Sequence, residues 1–108
     1  MEYLKISEKE MNSYVLLNVI GSITTYTYTD LQDRLYSLIE TTPVCVNLEK
    51  VDDLTSAGLG SLLATLELSI EKEHALYLLN PSDAVRRIID LTGFLDDFNV
   101  ISSIDEIS

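Results

Sequence analysis

The chain has 108 residues, 46% of them hydrophobic, and a net charge of −11 from 18 acidic and 7 basic side chains. That length fits one domain with a core of its own, and the hydrophobic share excludes a disordered chain. The charge excludes a nucleic-acid footprint, which needs clustered cations, and an anionic membrane surface would repel it.

A lone cysteine, Cys45, allows no internal disulfide, in keeping with a reducing compartment. Met1 is followed by Glu2, without the basic segment and apolar run of a secretory leader. No apolar stretch approaches the roughly 18 residues that span a bilayer. A cytoplasmic location without membrane insertion is the expectation.

Residues 3–7 read as a first, weak strand, and residues 14–20 as a stronger one ending at Gly21. In "SITTYTYTD", Thr29 and Gln32 have the spacing of a capping box, in which each side chain satisfies the other's free N–H. Tyr26 and Tyr28 in the same stretch are expected to pack on strand or helix faces, the alternative being that they line a surface near residues 52–60. Leu31, Leu35, Leu38 and Ile39 follow on one face of a helix that Thr41-Thr42-Pro43 stops.

Residues 44–48 and 75–79 are short apolar runs suited to strands covered on both faces in a sheet flanked by helices. Between them the spacing predicts a long helix over residues 56–73, with Leu59, Leu62, Leu63, Leu66 and Ile70 as its core stripe. On that wheel Ala57, Ser61, Ala64 and Leu68 fall on the opposite face, a candidate docking surface. A third helix is predicted to start near Ser82, with Val85, Ile88 and Ile89 inward and Gly93 as a left-handed C-cap. "NVISSIDEIS" fits a last strand and a stub of helix. The order implies one α/β domain over residues 1–108, with helices packed on a mixed sheet of four to five strands.

"DDLTSAGLG", residues 52–60, holds two of the chain's four glycines just behind a serine. Ser56 stands where the long helix begins. A serine there is a good N-cap, worth about 1 kcal/mol. The same position suits a phosphoserine, because helix starts present free N–H groups and a partial positive charge. Gly58 and Gly60 leave the backbone open to a close partner, while each costs about 1 kcal/mol of helix propensity.

"VNLEKVDDLTSAGLGSLL" resembles the signature of the STAS domain, in particular of the bacterial anti-sigma factor antagonists: a buried strand, then Asp-Ser-Ser/Thr/Ala-Gly-Leu-Gly, then a helix. "VLLNVIGSIT" resembles the family's second strand and following turn, and "NPSDAVRRIIDLTGFLDDFNV" the segment after the fourth strand, so the resemblance covers nearly the whole chain. It implies a non-enzymatic binding module. The phosphorylated position would be Ser56, and the partner-binding positions Thr24, Thr55, Ser56, Ala57, Gly58, Gly60, Ser61, Ala64 and Leu68. The implied partners are an anti-sigma factor with serine kinase activity, bound only by the unphosphorylated form, and a metal-dependent serine phosphatase. Two positions depart from the family pattern: Thr55 stands where it has the Asp before the serine, and Thr24 where it has the Asp of the turn. Asp53, two residues before Thr55, would point the same way in an extended segment. The family also includes docking subunits of lipid-transporter ATPase complexes and scaffolds that are never phosphorylated, which is the alternative implied.

Other chemistries fit less well. A continuous helix puts His74 roughly 27 Å from Ser56, where a nucleophile and base need about 3 Å. His74 is expected as a surface residue at the helix end. Gly58-Leu59-Gly60 lacks the third glycine of a dinucleotide fingerprint and the Gly-Lys-Ser/Thr of a P-loop. Adjacent Asp52 and Asp53 would diverge and make a poor acid–base pair. One cysteine and one histidine cannot build a zinc site, and Cys45 is expected as a core thiol. Neither a cofactor nor a catalytic residue is predicted.

Overall fold

The computed structural model describes residues 3–107; Met1 and Glu2, on which the leader argument turned, and Ser108 lie outside the described residues. Five strands form one sheet in chain order: β1 (Leu4–Glu10), β2 (Val15–Ile23), β3 (Val44–Leu54), β4 (Leu76–Leu79) and β5 (Asn99–Ile101). β1 runs antiparallel to β2, and the remaining neighbours are parallel. Each parallel step is made by a helix: α1 (Tyr28–Ile39), α2 (Ser56–Lys72) and α3 (Asp83–Leu91). The expected α/β domain with a mixed sheet is therefore present, with five strands.

Period-two alternation sorts the strand residues between two clusters. Leu17, Val19, Val44, Val46, Leu48, Leu76 and Leu78 meet Leu31, Leu35 and Ile39 of α1, Leu59 and Leu62 of α2, and Val85 and Ile89 of α3. All three helices thus cover one face. The other face gathers Tyr14, Cys45, Leu79 and Ile101, packed by Met11, Leu16, Tyr77 and Ile107. The apolar runs are covered on both sides as expected, but the second face is covered by Met11 of the β1–β2 turn and Ile107 of a short terminal segment instead of an α-helix. That segment is pinned by a capping box: Ser103 receives the N–H of Asp105, while the Glu106 carboxylate accepts from the Ser102 N–H and hydroxyl and the Ser103 N–H. These donors hold the Glu106 carboxyl below its ordinary range. Cys45 is the core thiol expected, and burial pushes its pKa up to about 11.

Several boundaries differ from the sequence expectation. β2 does not end at Gly21; it runs through that glycine, at φ +116°, to Ile23. The pairing with β3 slips between Asn18 and Ile20 and again between Gly21 and Ser22. Only glycine tolerates both that φ and the crowding against the Tyr3 carbonyl. β3 extends to Leu54, past exposed Glu49, Lys50, Asp52 and Asp53, because the slips let Leu48, Val51 and Leu54 all point inward. The Thr29–Gln32 box does not form. α1 starts earlier, after Thr27, whose hydroxyl instead donates to the Ser22 carbonyl at 2.7 Å and accepts the Thr24 N–H at 2.9 Å. His74 is half-buried rather than a free surface residue, its Nδ1 2.6 Å from the Ile39 carbonyl at the end of α1. The end of α3 is as expected: Gly93 takes φ +80°, and the N–H groups of Gly93 and Phe94 bond back to Asp90 and Ile89, a Schellman closure.

Candidate functional site

The ends of β2 and β3 and the start of α2 meet at one corner. The Ile23 carbonyl, the last in β2, accepts the Thr55 N–H at 3.0 Å and is 3.5 Å from the Thr55 hydroxyl. Thr55 is the N-cap of α2: its hydroxyl receives the Gly58 N–H at 3.4 Å, and its carbonyl receives the Leu59 N–H at 2.8 Å. The expected N-cap role of Ser56 therefore belongs to its neighbour. Ser56 is the first helical residue, it is exposed, and its hydroxyl makes no hydrogen bond to the described residues. The serine is presented, not used for folding.

The two glycines have different causes. A Cβ on Gly58 would stand 2.6 Å from the Ile23 carbonyl oxygen and under 3 Å from side-chain atoms of Ile23 and Leu54. Gly58 lets the helix start sit directly on the strand ends. A Cβ on Gly60 would meet nothing within 4 Å. Gly60 is exposed one turn beyond Ser56, and the two form a side-chain-poor surface.

Thr24 lies in the turn that approaches the same corner, but it is 1% exposed. Its hydroxyl accepts the Tyr26 N–H, and its carbonyl accepts the N–H groups of Thr27 and Tyr28. This hydroxyl helps to hold the turn. Tyr26, expected to pack on a face, is instead 85% exposed at the tip of that turn, while Tyr28 packs on the core. Of the two neighbouring acids it is Asp52, not Asp53, that is engaged: it accepts the Ser22 hydroxyl at 2.7 Å.

The outward face of α2 is not the expected one. Ser61 is 1% exposed, and Gly58, Leu59, Leu62, Thr65 and Ser69 are buried with it. Ala64 and Leu68 are half-buried on the side facing Tyr36 of α1. At 100° per residue, the buried arc is turned by about 90° from the leucine stripe. The hydroxyls make this possible. Ser61, Thr65 and Ser69 donate to the carbonyls of Gly58, Ser61 and Leu66 at 2.7, 2.8 and 2.6 Å, so they can be buried without an unmet polar group. The exposed ridge runs instead from Ser56 through Gly60 and Glu67 to Ile70, with Leu63 half-buried beside it. Leucine periodicity hid this ridge.

Among the described residues, no group of three His, Cys, Asp or Glu side chains is placed to hold a metal ion, and no helix is long and apolar enough to cross a membrane. α2 runs unbroken between Ser56 and Lys72, keeping His74 at the far end from Ser56.

The STAS domain profile matches residues 5–107. The anti-sigma-B factor antagonist of Staphylococcus aureus (strain NCTC 8325 / PS 47) is 30% identical over 99 residues, covering 90% of this chain and 92% of the relative. The crystal structure of an anti-sigma factor antagonist from Mycobacterium paratuberculosis superposes with a TM-score of 0.84 at 24% identity, over 96% of this chain and 90% of that one. SpoIIAA superposes in its unphosphorylated form with a TM-score of 0.78 at 17% identity, over 95% and 93% of the two chains. The Bacillus SpoIIAA structure in the phosphorylated form gives 0.73 at 17% identity, over 95% and 96%.

Proposed function

Because the chain belongs to the STAS domain family, we propose that it is an anti-sigma factor antagonist, a non-enzymatic regulator that binds its anti-sigma factor only while Ser56 is unphosphorylated. The observation that carries this reading is the division of roles at the start of α2. Thr55 caps the helix, and Ser56 is left exposed with a free hydroxyl beside bare Gly60. A kinase reaching Ser56 disturbs no folding contact. A phosphate there adds a charge of about −1.5 to −2 on the docking face. The helix start favours that charge within the free chain. A partner that must desolvate it, beside the acidic Asp52 and Asp53 at the end of β3, loses affinity.

On this reading the partner is an anti-sigma factor with serine kinase activity, and a metal-dependent serine phosphatase resets the switch. Contact comes from the side chains of Ser56, Ala57 and the tip of the 24–28 turn, and from the bare backbone at Gly60. Buried Thr24, Gly58 and Ser61, with half-buried Thr55, hold that surface in place instead of touching a partner. The test is affinity capture from native lysate with wild-type and Ser56→Asp baits, with mass spectrometry of the Ser56 peptide from the native protein. Expected are a kinase-like ATPase on the wild-type bait alone and a phosphorylated Ser56 peptide. If both baits hold the same transporter or scaffold subunit and Ser56 carries no phosphate, the corner is a constitutive docking site.

A further inference from the structure

At the other end of α2 lies a second feature that the Ser56 corner does not use. Leu63, Leu66 and Ile70 follow at i, i+3 and i+7 along the helix. Phe94, the residue after the Schellman glycine, stands across from them. Together with Glu67 and Asp97 they line an open groove of about 360 Å³. Ile70 is 71% exposed and Phe94 39%, two of the six large hydrophobic side chains left in solvent among the described residues. Ile70 is 14 residues beyond Ser56, or about 21 Å along the helix axis, so the groove is a separate surface.

Single exposed leucines and isoleucines are ordinary; apolar residues from two elements lining one groove are not. The occupant follows from charge. No Lys or Arg lines the groove, while Glu67 and Asp97 do, and Glu71 and Asp96 are exposed beside them. A second copy of this chain would bring a like acidic rim and a further net charge of −11, so self-association through this face is opposed. An anionic lipid surface is repelled for the same reason. We infer that the groove between α2 and Phe94 is a docking site for the apolar face of a partner helix flanked by lysines or arginines. Leucine-sized side chains spaced one helical turn apart fill the groove, and the basic flanks meet Glu67 and Asp97.

The experiment titrates isotope-labelled full-length chain with a synthetic amphipathic peptide. The peptide carries leucines at helical i, i+3, i+4 and i+7 positions and lysines elsewhere. A scrambled peptide of equal composition controls for general attraction to an acidic protein. Expected are chemical-shift changes centred on Leu63, Leu66, Ile70 and Phe94 with the patterned peptide only, weakened by salt and by about tenfold or more in Ile70→Glu. Because Ile70 is largely exposed, that variant folds, and its unchanged melting temperature verifies it; Phe94→Ala gives an independent second variant. Absence of binding, shifts spread over the acidic surface, equal shifts with the scrambled peptide, or a concentration-dependent dimer abolished by Ile70→Glu each overturn the inference. Ser56→Asp in the same titration leaves peptide binding unchanged, so failure here and failure of the Ser56 switch are distinguishable.

Discussion

Replacing either glycine of the Gly-Leu-Gly segment by alanine should have opposite consequences. Helix propensity alone favours alanine by about 1 kcal/mol at both sites. At Gly60 nothing opposes it: the new methyl enters open solvent, and Gly60→Ala is expected to stabilise by about 0.5–1 kcal/mol. At Gly58 the methyl lies 2.6 Å from the Ile23 carbonyl oxygen, 2.7 Å from Ile23 Cγ2 and 2.8 Å from Leu54 Cδ1. The side chains can give way, but the carbonyl belongs to a strand end and also receives the Thr55 N–H. Relief means lifting the helix start off the sheet. Overpacking costs about 1–3 kcal/mol, and a stretched Thr55–Ile23 bond adds about 1 kcal/mol. Against the propensity gain, Gly58→Ala nets a loss of about 1–3 kcal/mol. Urea unfolding followed by circular dichroism measures both, as a shift of midpoint at unchanged slope. A Gly58→Ala protein as stable as wild type would refute the close approach of α2 to the strand ends.

Three further outcomes follow from the same geometry. Ser61→Leu should destabilise by about 2 kcal/mol, because the site is buried and full, whereas Ile70→Lys should stay within about 0.5 kcal/mol; calorimetry of the pair reports which side of α2 faces inward. Thr55→Asp should stabilise by about 0.5 kcal/mol, since the present cap bond is long at 3.4 Å and a carboxylate also meets the helix dipole; Ser56→Ala should leave the melting temperature unchanged. Burial holds the Cys45 pKa at about 11 against an ordinary 9.0. The unfolded thiol therefore ionises first, and stability is whole below pH 9 and declines as pH rises toward 11. The loss is on the order of 2 kcal/mol, and it appears as a steeper pH dependence of the urea midpoint in wild type than in Cys45→Ala.

The parts of the fold readable in the sequence are those where one local rule acts alone. α3 is the clearest case: Ser82 caps it, Val85 and Ile89 face inward, and Gly93 closes it. The extension of β2 and β3 was not readable, because it depends on two register slips that make every third residue of β3 inward and leave charged residues between. The rotation of α2 escaped for a different reason. Leucines mark a core stripe only when small polar residues are excluded from it, and here serine and threonine hydroxyls are satisfied by their own helix. The motif singles out Ser56, but not the freedom of its hydroxyl. Which of two adjacent hydroxyls caps a helix is set by where the Ile23 carbonyl lies, a contact across 32 positions of chain. Phe94 gave no signal, since its meaning depends on Ile70 across the groove.

The division between Thr55 and Ser56 bears on how such a domain diverges. Where one residue both secures a helix and carries a signal, any exchange must satisfy two selections at once. Here the capping requirement rests on Thr55 and leaves its neighbour Ser56 out of it. Position 56 is free to drift to alanine, aspartate or another small residue while Thr55 and Gly58 preserve the architecture. If Ser56 is the switch proposed above, responsiveness can be lost or locked by exchange at that one position, with no compensating change elsewhere in the chain.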